Sequence, residues 1–92
     1  MNVLFSRQFD KDARDLPPRM KIPLLSIIRE AIEATSLKEI RNCKKLSGYD
    51  NLYRIRMGVY RLTFLFLVID NTVFFQRVLP RGNVYKKHNL KK

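Results

Sequence analysis

Cysteine and histidine are almost missing from this sequence: Cys43 and His88 each stand alone. One cysteine excludes an intrachain disulfide, and one Cys with one His cannot supply the ligand clusters that zinc folds require. The same scarcity argues against a Ser/His/Asp triad. Acidic residues are also short, with 8 Asp+Glu against 19 Lys+Arg and a formal net charge of +11. The imbalance is uneven. Residues 1–46 hold ten basic and six acidic residues, whereas 47–92 hold nine and two. Such a surplus predicts attraction to polyanions, nucleic acid ahead of an acidic protein or an anionic membrane surface. Long apolar runs are absent as well. Residues 62–69 are the most apolar stretch and fall far short of the ~20 residues of a spanning helix. Residues 1–5 lead straight into charged sequence without a signal-peptide pattern, so a cytoplasmic location with no membrane contact is expected.

What is present suffices for one small domain spanning residues 1–92, with a basic tail over about 86–92. Apolar residues make up 46% of the chain and aromatics 11%, enough for a single modest core. Residues 2–6 read as a short strand. Phe9, Ala13 and Leu16 recur at helical spacing until Pro17-Pro18 stops the helix by sterics and missing N–H groups. A second helix is expected over about 23–34, with Pro23 in its first turn and Leu24, Ile27, Ile28, Ala31 and Ile32 as its apolar stripe. Ser36-Leu37-Lys38-Glu39 has capping-box form and opens a short helix or turn over about 37–43. Residues 44–51 are polar and turn-rich. Three strands follow at about 52–57, 60–69 and 72–79, with Asp70-Asn71 as the second tight turn and Pro80 as the stop. The order is that of an α+β domain: an N-terminal strand, a helical hairpin, then a three-stranded antiparallel meander, with the helices on one sheet face.

Residues 53–61, Tyr-Arg-Ile-Arg-Met-Gly-Val-Tyr-Arg, carry the chemistry. Polar and apolar residues alternate, and Gly58-Val59 sits where a type II′ hairpin loop belongs. That loop pairs Met57 with Tyr60, Arg56 with Arg61, Ile55 with Leu62 and Arg54 with Thr63. Tyr53, Ile55, Met57, Tyr60, Leu62, Phe64, Phe66 and Val68 then face the helices. Arg54, Arg56, Arg61 and Thr63 face away, followed by Leu65, Leu67, Ile69 and Phe74. Arginines opposed across a sheet repel unless an anion lies between them. Two readings stand on the residues alone, a solvated charged face or a cradle for phosphate.

The short strand, the helical hairpin with Leu16-Pro17 between its helices, Leu46-x-Gly48, the 53–62 motif, and Arg81 with Tyr85 together resemble the RelE/ParE toxin superfamily over nearly the whole chain. The resemblance to its RelE branch implies the toxin of a type II toxin–antitoxin system. It implies a ribosome-dependent endoribonuclease that cuts mRNA in the A site by metal-free 2′-OH transesterification, with no cofactor and with ribosome, mRNA and a cognate antitoxin as partners. On that pattern Arg56, Arg61, Arg81 and Tyr85 are the catalytic set. Arg54 positions substrate, and Lys86 and Lys87 add attraction to RNA. Best-known members carry lysines at the places of Arg54 and Arg56, and an arginine hardly releases its proton, so neither serves as general base. His88, flanked by lysines, reads as solvated. The ParE branch, which poisons DNA gyrase without a phosphate cradle, and a noncatalytic nucleic-acid-binding module are the alternatives. Register leaves Arg81 open. A two-residue Asp70-Asn71 loop puts odd-numbered residues of the last strand on the helix face, away from Arg61, whereas a three-residue loop sets Arg81 across from Arg61.

Overall fold

The computed structural model describes residues 1–82. Its elements are β1 (Asn2–Phe5), α1 (Arg7–Arg14), α2 (Lys21–Glu33), β2 (Cys43–Lys45), β3 (Leu52–Met57), β4 (Tyr60–Leu67) and β5 (Thr72–Pro80), with 3-10 turns at Pro18–Met20 and Leu37–Glu39. The α+β class and the element order agree with the sequence reading.

Ser6 starts α1 by accepting the Phe9 N–H on its hydroxyl at 3.0 Å, the side-chain cap that short helices favour. The proline pair ends α1, and Pro18 at once opens the next turn. Helix α2 begins two residues before Pro23, which occupies a first-turn position where its missing N–H costs nothing. Lys21 ties the two helices by donating from Nζ to the carbonyls of Ala13 (2.6 Å) and Arg14 (3.2 Å). Leu24 and Ala31 of the expected stripe are buried, but Ile32 points outward at 54% exposure. The capping box is displaced by one residue. Glu39 accepts from the Thr35 N–H (2.9 Å) and hydroxyl (2.7 Å), and Ser36 makes no side-chain cap.

The five strands form one sheet in the order β1-β5-β4-β3-β2. Strand β2, read as part of a polar loop, is an addition to the expected meander. It pairs antiparallel with β3, Lys44 opposite Arg54. Three residues with two lysines have no alternation to betray a strand, and lysines suit an exposed edge. Asn42 and Asn51, at φ +60° and +62°, make the bends on either side. At the other edge β1 runs parallel to β5, Asn2 opposite Thr72 through Phe5 opposite Phe75.

The β3–β4 hairpin follows the expected register at all four pairs, with Gly58 at φ +61° in its turn. The β4–β5 connection is looser than expected. β4 ends at Leu67, and Leu67 pairs with Thr72. Residues 68–71 form a turn in which the Asn71 N–H donates to the Val68 carbonyl at 3.2 Å. Val68 and Ile69, expected on opposite sheet faces, therefore sit in the turn at 63% and 99% exposure. β5 ends at Pro80, as expected, with the proline itself the last paired residue, opposite Tyr60, at an end where its missing donor is tolerated.

The helices cover one face, as expected. Phe9, Leu24 and Ala31 join Ile55, Met57, Leu62, Phe64, Val73, Phe75 and Val78 in a single core. Phe75 is its hub, with ring centroids 5.2 Å from Phe9, 5.7 Å from Phe5 and 5.9 Å from Phe64. Truncating a buried phenylalanine loses burial and leaves a cavity. Phe75→Ala is expected to cost about 3–5 kcal/mol in urea unfolding, seen as a lower midpoint with an unchanged slope.

Candidate phosphate-binding face

On the face away from the helices, strand pairing sets side chains in rows. Lys44, Arg54 and Thr63 are opposed in one row, Arg56 and Arg61 in the next. Arg61 NH1 folds back over its own hairpin and donates to the carbonyls of Gly58 (3.0 Å) and Tyr60 (2.9 Å). Arg54 NH1 donates to the Asn42 carbonyl at 3.1 Å. That same carbonyl accepts the Arg56 N–H at 3.2 Å. Among the described residues, backbone oxygens thus hold two guanidinium groups in place and take only part of each fork's donors. Arg54 and Arg61 are half-buried, and Arg56 and Arg81 are exposed.

Arg81 reaches this face by a route the sequence reading did not contain. From Thr72 to Phe75 the odd-numbered residues face the core, as a two-residue loop would also place them. Between Thr63/Phe64 the register then shifts: Phe64 pairs with Phe75 but Thr63 with Arg77, so Gln76 is an extra residue. A bulge of one residue reverses the alternation. Beyond it Val78 lies opposite core residue Leu62 and Leu79 opposite Arg61, and the Arg81 N–H bonds to the Val59 carbonyl at 2.7 Å. Neither expected loop length accounts for this. Arg81 is not across from Arg61, yet it stands close beside it.

The electrostatics of Arg61 follow from this gathering. The Arg61 guanidinium is pushed below its ordinary value, first by desolvation and then by repulsion from Arg54, Arg81 and Arg56. Among the described residues the ion pairs are Arg41–Glu30 and Arg77–Asp12, and neither neutralises the four. Lys44 belongs to the same face and was missed with its strand. Arg77 was missed as well; it is the cation of a pair with Asp12, and only the folded register brings the two together. Tyr85, Lys86, Lys87 and His88 lie outside the described residues.

Next to the arginines, Cys43 is a poor nucleophile. Burial pushes its thiol up to about 11, opposed only in part by Arg54. Alkylation of the folded protein by iodoacetamide is expected to be slow at pH 8 and to accelerate through pH 10 to about 11. Because the folded state holds this proton more tightly than the unfolded chain, stability should fall as pH rises above the free-thiol range of about 8.5. The decline should level off near 11, and thermal unfolding across that window checks the sign.

The fold is shared with the toxin halves of crystallised antitoxin–toxin complexes. The RelB–RelE complex from Methanococcus jannaschii superposes with a TM-score of 0.78 and 34% identity, covering 91% of this chain and 96% of that one. The RelE–RelB complex from Pyrococcus horikoshii OT3 gives 0.73 and 25%, covering 88% and 94%. No family model matches the chain. Toxin RelE3 of Methanocaldococcus jannaschii is 38% identical over 86 residues, 92% of this chain and 96% of that protein. The chain belongs to the RelE toxin family.

Proposed function

We propose that this toxin is a ribosome-dependent endoribonuclease, cutting mRNA in the A site by 2′-OH transesterification. The observation that carries the reading is the placing of Arg54, Arg56 and Arg61 on one sheet face with Arg81 anchored at Val59 beside them, a surplus of positive charge that a phosphate would relieve. In the reaction the 2′-oxygen bonds to phosphorus as the P–O5′ bond breaks, leaving a 2′,3′-cyclic phosphate and a 5′-OH. The 2′-OH gives up a proton and the departing oxygen takes one. Charge accumulates on the crowded phosphate between these events, and fixed planar donors are best used there.

Arg56 and Arg61, opposed across the hairpin, are assigned to the phosphate oxygens. Arg81 is assigned to the leaving side, and Arg54 with Lys44 to holding the adjacent backbone. Arginine stays protonated, so proton transfer belongs elsewhere. Tyr85 is the remaining member of the set with a proton to exchange, and Lys86 and Lys87 extend the attraction for RNA. The structures of relatives bound to RelB support a cognate antitoxin for this chain too. An acidic or amphipathic segment that folds on binding suits its charge.

Primer extension on a defined mRNA in a reconstituted translation reaction tests the reading. Cleavage inside A-site codons should require ribosomes, and Arg61→Ala should lower it by about 10²–10³-fold. Lys44→Ala should weaken cleavage only at low ribosome concentration, the mark of a binding contact. Intact mRNA under continuing translation would sink the proposal.

A further inference from the structure

We propose that α1 is a positioning clamp for the arginine cluster, with Asp12 as its decisive residue. The reasoning starts from the bulge. Val73 and Phe75 are wholly buried in the core. Regular alternation from them would aim residues 77, 79 and 81 into the core as well. Gln76 interrupts that alternation, and Arg81 then falls on the side of Arg61. Whatever stabilises the bulge therefore decides whether the cluster has three arginines or four.

A bulge leaves backbone groups without ladder partners, here on the edge where β1 has already ended at Phe5. Helix α1 replaces the missing strand with side chains. The Ser6 hydroxyl donates to the Gln76 carbonyl at 2.8 Å. Asp12 accepts the Val78 N–H at 3.1 Å. It also takes a two-pronged grip from Arg77, Nε at 2.7 Å and NH2 at 3.1 Å. Both side chains are nearly covered, at 9% exposure for Asp12 and 17% for Arg77. A covered arginine stripped of its carboxylate is strongly unfavourable. Without Asp12, strand residues 76–78 would have to rearrange to return Arg77 to water, and Arg81 four residues on would move with them. Asp12 touches neither substrate nor reacting atoms in this scheme; it acts through the strand.

The inference rests on the phosphate reading only for its purpose, so its test is chosen to stand apart. Binding of a short all-DNA oligonucleotide, which lacks the 2′-OH and cannot be cleaved, is followed by fluorescence anisotropy across a salt series. Each phosphate contact on a single strand contributes about 0.7 to the logarithmic salt slope. Arg81→Ala should lower the slope of the wild-type protein by about that amount. Asp12→Asn, nearly isosteric, should do the same, and adding Arg81→Ala to it should change nothing further. Deletion of Gln76 joins Phe75 directly to Arg77 and keeps the pairing beyond it, so Arg81 should stay beside Arg61 without a bulge. In that background Asp12→Asn should no longer abolish the effect of Arg81→Ala; if the deletion fails to fold, Asp12→Asn decides alone. Independently of any ligand, the Arg61 side-chain N–H resonance in 15N NMR should move on Arg81→Ala in the wild-type background and stay still in the Asp12→Asn background. A merely structural Asp12 would lower the melting temperature but leave the effect of Arg81→Ala undiminished in both measurements, and that additivity would overturn the proposal. Absence of oligonucleotide binding by the wild-type protein would count against the phosphate reading, with the NMR comparison still deciding the clamp.

Discussion

The parity of the last strand is the constraint on which the two faces of this molecule depend. β5 lies between β1 and β4 in the sheet, and its first half sends Val73 and Phe75 into the core. Its second half must do two things at once. It has to return Val78 to the core opposite Leu62, and it has to end with Arg81 among the arginines. An unbroken strand of this sequence would satisfy neither. One extra residue, held by Ser6 and Asp12 from the adjoining helix, satisfies both. The exchange is local in extent, but the return of Val78 to the core and the place of Arg81 both inherit it.

Charge is managed by separation. The carboxylate of Asp12 is consumed by Arg77 and that of Glu30 by Arg41, so neither acid is left to pair with Arg54, Arg56, Arg61 or Arg81. On that face the guanidinium groups are held by backbone carbonyls instead. A carbonyl orients an arginine without cancelling its charge, which is the property a phosphate cradle needs. The penalty shows in Arg61, whose proton is held less tightly because of its covered position and its neighbours.

Much of this was legible in the sequence because it is governed by residues close in the chain. The β3–β4 register follows from a two-residue loop beginning with Gly58, and the row Arg54, Arg56, Arg61 follows from alternation. The membership of Phe64, Leu62 and Ile55 in the core follows likewise. Two kinds of feature were not legible. Strand β2 is three residues long and is a strand only because Arg54 and Ile55 offer it an edge, so Lys44 stayed hidden among loop residues. The β4–β5 turn took Val68 and Ile69 out of the sheet because the Asn71 N–H closes on Val68, a choice that apolar side chains do not announce.

The sequence by itself determined the class of fold, the helix-covered face and the three hairpin arginines, since periodicity and turn chemistry act over a few residues. Only the tertiary structure decided where Arg81 points and which acid meets which base. Asp12 and Arg77 are 65 positions apart, and nothing in the local pattern around Gln76 marks it as an extra residue. Its place is set by α1, which fills the edge that β1 leaves open and supplies the hydrogen bonds a regular ladder would have made.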